Sequence, residues 1–156
     1  MSITKNLGIN PDMVRIREFE FNKQKLKIRI PNSLEAEQIE ERVSNPPQEL
    51  IQKKYELLAN PILDKKDTLK ESDDVKILEN DIIVGEHSLK ELATNQSKTQ
   101  MRILETFKLL VPIDGQTMED ITYDDIDQEI PLPIQLELVK KIANVISPTY
   151  DETKKN

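Results

Sequence analysis

The acidic segment Asp124–Glu129 is the group of side chains in this sequence best suited to chemistry. The carboxylates of Asp124, Asp125 and Asp127 are ligand types that a divalent cation prefers, and such a cation would support a carboxylate-dependent enzyme. The segment lacks the glycine and the twelve-residue ligand spacing of a calcium loop. Acidic residues in the first turn of a helix are also stabilised by the helix dipole. We therefore predict that this segment begins a helix and holds no metal.

The sequence lacks the residues that other common catalytic and metal sites require. His87 is the sole histidine and the chain has no Cys, which excludes His-pair and Cys-based zinc sites and disulfides. Three glycines are too few for a phosphate-binding loop. Because His87 follows Gly85 in a polar loop, we expect it to be a solvated side chain and not a general base. The sequence predicts a protein that is not an enzyme and needs no cofactor.

Composition limits the size of the core. The chain has 156 residues, of which 37% are hydrophobic and 33% charged, with no Trp. This predicts a soluble domain with a small hydrophobic core and polar segments outside it. No run approaches the roughly 18 apolar residues that cross a bilayer, and no apolar leader is seen at the start. We expect a cytosolic protein that does not bind membranes.

The stretch REFEFNKQKLKIRI, residues 17–30, alternates charged and apolar residues. Folded as an antiparallel hairpin with Phe19 opposite Ile28 and Phe21 opposite Leu26, it has one apolar face and one face of opposite charges. A bulge near residues 17–18 would bring the preceding Val14 to the buried side. The sequence predicts a hairpin over residues 14–30 whose turn lacks the glycine that a tight two-residue loop prefers.

A nucleic-acid platform is the alternative use of this basic stretch. Residues 1–30 carry seven Lys and Arg against three Asp and Glu, whereas the remaining chain carries fifteen against twenty-six. Such asymmetry can mark a polyanion-binding arm. Stacking on bases requires exposed aromatic side chains, and Phe19 and Phe21 are expected to be buried. We therefore predict no nucleic-acid partner.

The rest of the chain reads as helices separated by turn signals. Capping patterns begin helices at Asn32, Ser88 and Thr122, the last with Asp125, and proline ends others. Two short strands near residues 75–84 predict a second hairpin, and Gly85 after them is free to take positive φ. The expected fold is α+β and mostly helical, with the N-terminal hairpin packed on a small helical bundle. We predict a flexible arm at 1–12, one domain at 13–147 and a flexible tail at 148–156. Within the domain we expect a mobile linker at 62–74 and helices near 33–43, 47–59, 88–111, 122–129 and 133–147.

The last predicted helix carries an apolar stripe at helical spacing, with a polar back that includes Gln135. The stripe could pack on the hairpin and on the helix before it, or it could contact a partner protein or a second copy of this chain. Both readings stay open at this point. The candidate partner-binding residues are Ile134, Leu138, Ile142, Val145 and Ile146.

Three segments together resemble the tail assembly chaperones of long-tailed bacteriophages. They are MVRIREFEFNKQKLKIRIPNSLEAEQIEERV, DIIVGEHSLKELATNQSKTQMRILETFKLLVP and PLPIQLELVKKIANVISPTYDETKKN. The resemblance lies in their order: a hairpin running into Ile-Pro, a capped helix ending in Leu-Leu-Val-Pro, and a terminal helix before Ser-Pro. It covers most of the chain from Met13, which could be an alternative start.

The resemblance implies a protein of the infected bacterial cytoplasm that binds and solubilises the tape measure protein while the tail tube assembles. It further implies the tail tube protein as a second partner, allows a homo-oligomer, and implies absence from the mature virion. A longer form made by frameshifting near the Thr-Lys-Lys-Asn ending is a related expectation. The alternatives are a structural virion component, such as a tail-completion or head–tail connector protein, and an unrelated adaptor, inhibitor or enzyme.

Overall fold

A computed structural model describes residues 1–114 and 116–147, so the predicted tail at 148–156 lies outside the described residues. The chain forms two compact units. Unit 1 comprises Met1–Glu40 together with the described residues from Arg102 onward, and unit 2 comprises Glu41–Met101. That residues 13–147 act as a single domain stays a prediction.

The described residues are mostly helical and include two small antiparallel sheets, which confirms the predicted α+β class. Among them, no helix is both long enough and apolar enough to cross a membrane. In chain order the elements are α1 (Ile3–Asn6), α2 (Pro11–Arg15), β1 (Ile16–Phe21), β2 (Gln24–Arg29), α3 (Ser33–Ser44), α4 (Gln48–Asp64), β3 (Val75–Ile77), β4 (Ile82–Val84), β5 (His87–Ser88), α5 (Leu89–Phe107), α6 (Tyr123–Glu129) and α7 (Leu132–Ile146).

In unit 1, β1 and β2 form the N-terminal hairpin, but the predicted register is wrong by two residues. Phe19 lies opposite Leu26 and not opposite Ile28. The pairing is continuous along β1, so the predicted bulge near residues 17–18 is absent from the described strands. A shift of two residues leaves every side chain on its predicted face. Phe19 and Ile28 are accordingly buried, while Glu18 and Lys27 pair on the charged face.

A two-residue loop causes the shift in register. Asn22 and Lys23 join the strands with φ values of 50° and 66°, which lie in the left-handed region. Two-residue hairpin loops of the favoured type need positive φ at both positions. Asn visits this region readily, but Lys does so at a steric cost. The absence of glycine therefore did not prevent the tight loop.

A third extended segment pairs with the outer edge of β2. The predicted helix at 88–111 is α5, which ends at Phe107. Beyond it, the Arg29 N–H donates to the Leu109 carbonyl at 2.9 Å, and the Val111 N–H donates to the Lys27 carbonyl at 2.9 Å. Residues 109–111 of the predicted helix thus leave the helical path, because the exposed edge of the hairpin offers them backbone partners.

The first fifteen residues include the two short helices α1 and α2, and residues 1–12 of this stretch were predicted to be a flexible arm. The Ser2 hydroxyl accepts from the Lys5 N–H at 3.3 Å, and Asn10 Oδ1 accepts from the Asp12 N–H at 3.0 Å. Because α2 runs to Arg15, the hairpin begins at Ile16 and not at residue 14. Flexibility of the arm stays a prediction.

The core of unit 1 lies between the hairpin and helices α5, α6 and α7. Its buried members include Ile28 from β2, Phe107 from α5 and Ile142 from α7. The hairpin therefore packs on helices as predicted. Two bidentate ion pairs add to this unit: Arg29 with Glu35, at 2.7 and 2.6 Å, and Arg102 with Glu40.

In unit 2, α4 continues through Pro61 to Asp64, so the predicted stop at residue 59 is wrong. Proline removes one helical hydrogen bond and usually ends a helix. Here Ile62 packs against the buried cluster of Ala59, Ile82 and Leu89, which holds the extra turn in place. The rest of the predicted linker at 62–74 includes two short 3₁₀ turns, and its mobility stays a prediction.

The second predicted hairpin is confirmed as β3 and β4, and β5 adds a third strand. Gly85 takes a φ of 63° between β4 and β5, as its position predicted. Its N–H donates to the Asp74 carbonyl at 2.9 Å.

Candidate protein-interaction site

The residues predicted to contact a partner on α7 lie mainly in the core of unit 1. Leu138 and Ile142 are buried, and Val145 and Ile146 are partly buried against the same cluster, whereas Ile134 is half-buried. A cavity of about 240 Å³ in this unit is lined in part by Ile142 and Ile146. The stripe thus stabilises its own unit, and its contact with a partner stays a prediction.

Gln135 was placed on the polar back of the last helix, and this is wrong, because the side chain is fully buried. Its Nε2 donates to the Ile130 carbonyl at 2.7 Å and to Asp127 Oδ1 at 3.0 Å, while its Oε1 accepts from the Tyr123 hydroxyl at 3.0 Å. Burial raises the pKa of Tyr123, and the charge of Asp127 adds to that rise. The network links α6 to α7.

The acidic segment has structural roles in the described chain. Asp125 and Thr122 form a reciprocal capping box at the start of α6, as the sequence predicted. The backbone N–H and the hydroxyl of Thr122 hold the pKa of Asp125 below its usual value. Asp127 belongs to the Gln135 network, whereas Asp124 is exposed. Within residues 1–114 and 116–147, no group of three or more His, Asp or Glu side chains could hold a metal ion.

Unit 2 contains an open, largely apolar groove of about 710 Å³, which we call the α4–α5 groove. Its walls combine one side of α4, the end of β4 and the first turns of α5. Volumes of this size accommodate a few large side chains or a small ligand. The groove is lined by Leu58, Ile62, Val84, Glu86, His87, Ser88, Leu89, Glu91, Leu92 and Asn95.

Helical spacing explains how the side chains of α4 and α5 line the groove. Leu58 and Ile62 are one turn apart on α4, and Leu89 and Leu92 are one turn apart on α5, so each pair lies on one helix face. Extension of α4 past Pro61 is what brings Ile62 to the groove. Sequence reasoning missed the site because it assigned Ile62 to a linker.

The charges at the groove are acidic. Glu86 and Glu91 contribute carboxylates, and the described residues that line the groove include no Lys or Arg. His87, expected to be a solvated loop residue, is exposed but lies in β5 at the rim. This geometry suits the binding of an apolar surface with flanking basic groups.

No family model, curated protein or solved structure matches this chain. The choice of site therefore depends on the arrangement of its own side chains. A second cavity of unit 2, of about 530 Å³, has a more polar lining that includes Asp81, Lys90 and Lys98. The α4–α5 groove combines greater volume with leucine-rich walls, so it is the candidate interaction site.

Asp81 fixes the start of α5 beside the groove. Its Oδ1 accepts from the Ile82 N–H at 2.7 Å and the Lys90 N–H at 3.0 Å, and its Oδ2 accepts from the Ser88 hydroxyl. The Ser88 hydroxyl in turn accepts from the Glu91 N–H at 3.1 Å, as the predicted cap requires. Desolvation raises the pKa of Asp81, but these hydrogen bonds outweigh it and hold the pKa below its usual value.

We expect Asp81→Asn to lower the free energy of unfolding by about 1 kcal/mol at pH 7, since the amide cannot accept all three bonds. A carboxylate with a lowered folded-state pKa stabilises the fold above the unfolded value of about 3.9, and that contribution is lost as the pH falls through the folded pKa. The difference between variant and wild type should therefore shrink from pH 7 to pH 3 in urea titrations. The exposed Glu79→Gln is the control, and an equal difference at both pH values would contradict the prediction.

Proposed function

We propose that this protein is a tail assembly chaperone of a long-tailed bacteriophage, which binds the tape measure protein through the α4–α5 groove. The observation that carries the proposal is the open apolar groove with its acidic rim. The proposal places the protein in the cytoplasm of the infected host and leaves it out of the mature virion.

The groove supports this proposal through the kind of surface that it can cover. A tape measure protein exposes long apolar helical stripes, which aggregate unless a partner shields them. An amphipathic helix docks by placing apolar anchors one turn apart into a hydrophobic groove. Leu58, Ile62 and Leu92 offer apolar contacts for such anchors, while Glu86 and Glu91 would pair with basic side chains on the helix flanks.

Modest affinity at each groove would suit the role. Many copies that bind along one long client gain avidity without tight individual contacts. Tail tube subunits could then displace the copies one at a time. The resemblance of the three segments to this family supports the same proposal, and the tail tube protein remains a second expected partner.

Co-expression with the tape measure protein of the same phage tests the proposal. We expect the wild type to keep the tape measure protein in the soluble fraction and to co-purify with it. Leu92→Asp should abolish both effects, because a carboxylate in the groove wall opposes an apolar anchor and adds to the acidic rim. Leu92 is 40% exposed, so the folded chain should accommodate the change.

Leu57→Asp is the matched control. Leu57 lies on α4, is 69% exposed and does not line the groove, so this variant makes the same chemical change outside the site. It should keep the tape measure protein soluble. The proposal would be contradicted if the tape measure protein precipitated when co-expressed with the wild type, or if Leu92→Asp kept it fully soluble. Stoichiometric presence of the chain in purified virions would also contradict it.

A further inference from the structure

The second cavity of unit 2 adjoins the α4–α5 groove and differs from it in charge. The groove and this cavity, of about 530 Å³, share Ser88 and Glu91 as lining residues, so they meet at the start of α5. Every residue that lines either of them belongs to unit 2, so their adjacency is a property of that unit alone. We call the second one the lysine cavity. Together the two cavities form one continuous surface that a single bound segment can contact.

The lysine cavity takes its name from one face of α5. Lys90, Thr94 and Lys98 line it, and because they are four residues apart they lie on the same side of the helix. The two lysines are exposed, and a helical rise of about 1.5 Å per residue separates them by about 12 Å along the axis. The end of α3 and the start of α4 form another wall, with the polar side chains of Ser44 and Gln48.

The carboxylate of Asp81 also lines the lysine cavity, but the fold uses it. Its two oxygens accept three hydrogen bonds, one of them from the Ser88 hydroxyl. Glu91 lies at the boundary with the groove, and Lys98 is about two turns further along α5. Among the residues that the structure describes, Lys98 forms no ion pair. A carboxylate of a bound molecule can therefore pair with Lys98 directly.

We propose that the client segment held in the α4–α5 groove continues past the start of α5 and places acidic side chains in the lysine cavity. Its apolar side chains contact Leu58 and Leu92 in the groove, and its carboxylates pair with Lys90 and Lys98. The inference rests on the proposed function, since it names the chemistry of the segment that the same groove binds.

This arrangement specifies an order of side chains along the client. Apolar and basic side chains lie at the groove with its acidic rim, and acidic side chains follow at the lysine cavity. Complementary charges at an interface fix its register and disfavour wrong partners. The segment therefore binds in one direction only, and the site selects a few stretches of a long helical client over stretches that offer apolar anchors alone.

Overlapping synthetic peptides that cover the tape measure protein of the same phage test the inference, with their binding to the full-length chain measured by fluorescence anisotropy. We expect the peptides that bind to carry carboxylates on one side of an apolar pair. Lys98→Glu should weaken their binding about fivefold to tenfold, because an attraction between exposed charges becomes a repulsion. The difference should shrink at high salt, which screens exposed charges.

Lys53→Glu is the matched control. Lys53 is exposed on α4 and lines neither cavity, so this variant makes the same change of charge in the same unit. It should bind the peptides like the wild type. Lys98 is also exposed, so folding of both variants is expected to be unaffected. A peptide whose acidic residues are replaced by lysine should bind Lys98→Glu more tightly than it binds the wild type.

The outcomes separate this inference from the proposed function. Equal binding of the acidic peptides by Lys98→Glu and the wild type would overturn the inference, and so would an equal loss from Lys53→Glu or binding by peptides without acidic residues. In these cases the proposed function stands, because peptides of the tape measure protein still bind. If none of them bound to the wild type, the proposed function would fail, and this inference with it.

Discussion

Ile142→Ala is expected to lower the free energy of unfolding by about 2–5 kcal/mol, the usual cost of removing a fully buried aliphatic side chain. Ile142 has no exposed surface and lies in the core of unit 1 with Phe107 and Leu138. The substitution removes buried methyl and methylene groups and leaves a cavity that neighbouring side chains fill only in part. Urea unfolding followed by circular dichroism measures the change.

Leu136→Ala on the same helix is the control for this prediction. Leu136 is 44% exposed, so its truncation should change the free energy of unfolding by no more than about 0.5 kcal/mol. If Ile142→Ala were as stable as the wild type and instead lost partner binding, the stripe would act as a binding surface and its place in the core would be contradicted.

Gln135→Met is expected to cost about 1–3 kcal/mol of stability, although methionine has a similar size. The change removes the donor to the Ile130 carbonyl and the acceptor for the Tyr123 hydroxyl. Both groups would then be partly buried without the hydrogen bond that Gln135 supplies, and that desolvation is what destabilises the fold. Thermal and urea unfolding of the variant would measure the loss.

A double-mutant cycle with Tyr123→Phe sharpens this test. Because the two side chains share one hydrogen bond, the combined loss should be smaller than the sum of the single losses. The exposed Glu137→Met on the same helix should be close to neutral. Additive losses from Gln135→Met and Tyr123→Phe would show that the hydrogen bond does not couple the two helices.

The faces of the N-terminal hairpin could be predicted from the sequence, but its register could not. Alternation of Phe19, Phe21, Leu26 and Ile28 with charged residues defines the faces whichever loop joins the strands. The register depends on the loop, and the left-handed conformation of Lys23 is set by the strands that it joins and by nothing in its residue type. A shift by two residues preserves the pattern, so the pattern cannot detect it.

Helix starts were predicted better than helix ends. The caps at Thr122 and Ser88 are local hydrogen bonds between nearby residues, and the structure contains them. The ends of α4 and α5 are decided by contacts that are distant in sequence. Ile62 is held by the sheet of unit 2 beyond Pro61, and residues 109–111 leave the helix to pair with β2.

The candidate site was also missed because it depends on contacts between residues that are distant in sequence. The α4–α5 groove brings Leu58, Val84 and Leu92 together from three elements, and none of them stands out in its own segment. For Gln135 the sequence was misleading in another way. A polar residue beside a polar helix face is expected to be exposed, but Gln135 is buried because Ile130 and Tyr123 supply its hydrogen-bond partners. The stripe on α7 was the visible signal, and most of it is needed for the core.

The Arg102–Glu40 ion pair joins the residues at which the chain leaves unit 1 and returns to it. The intervening segment, Glu41–Met101, is therefore an insertion with its two ends tethered close together. Loop-closure entropy rises slowly with length, by about 0.6 kcal/mol for each doubling. Residues could be added or removed within this insertion at little cost to the remainder of the protein, which makes it the natural place for the length of the chain to vary.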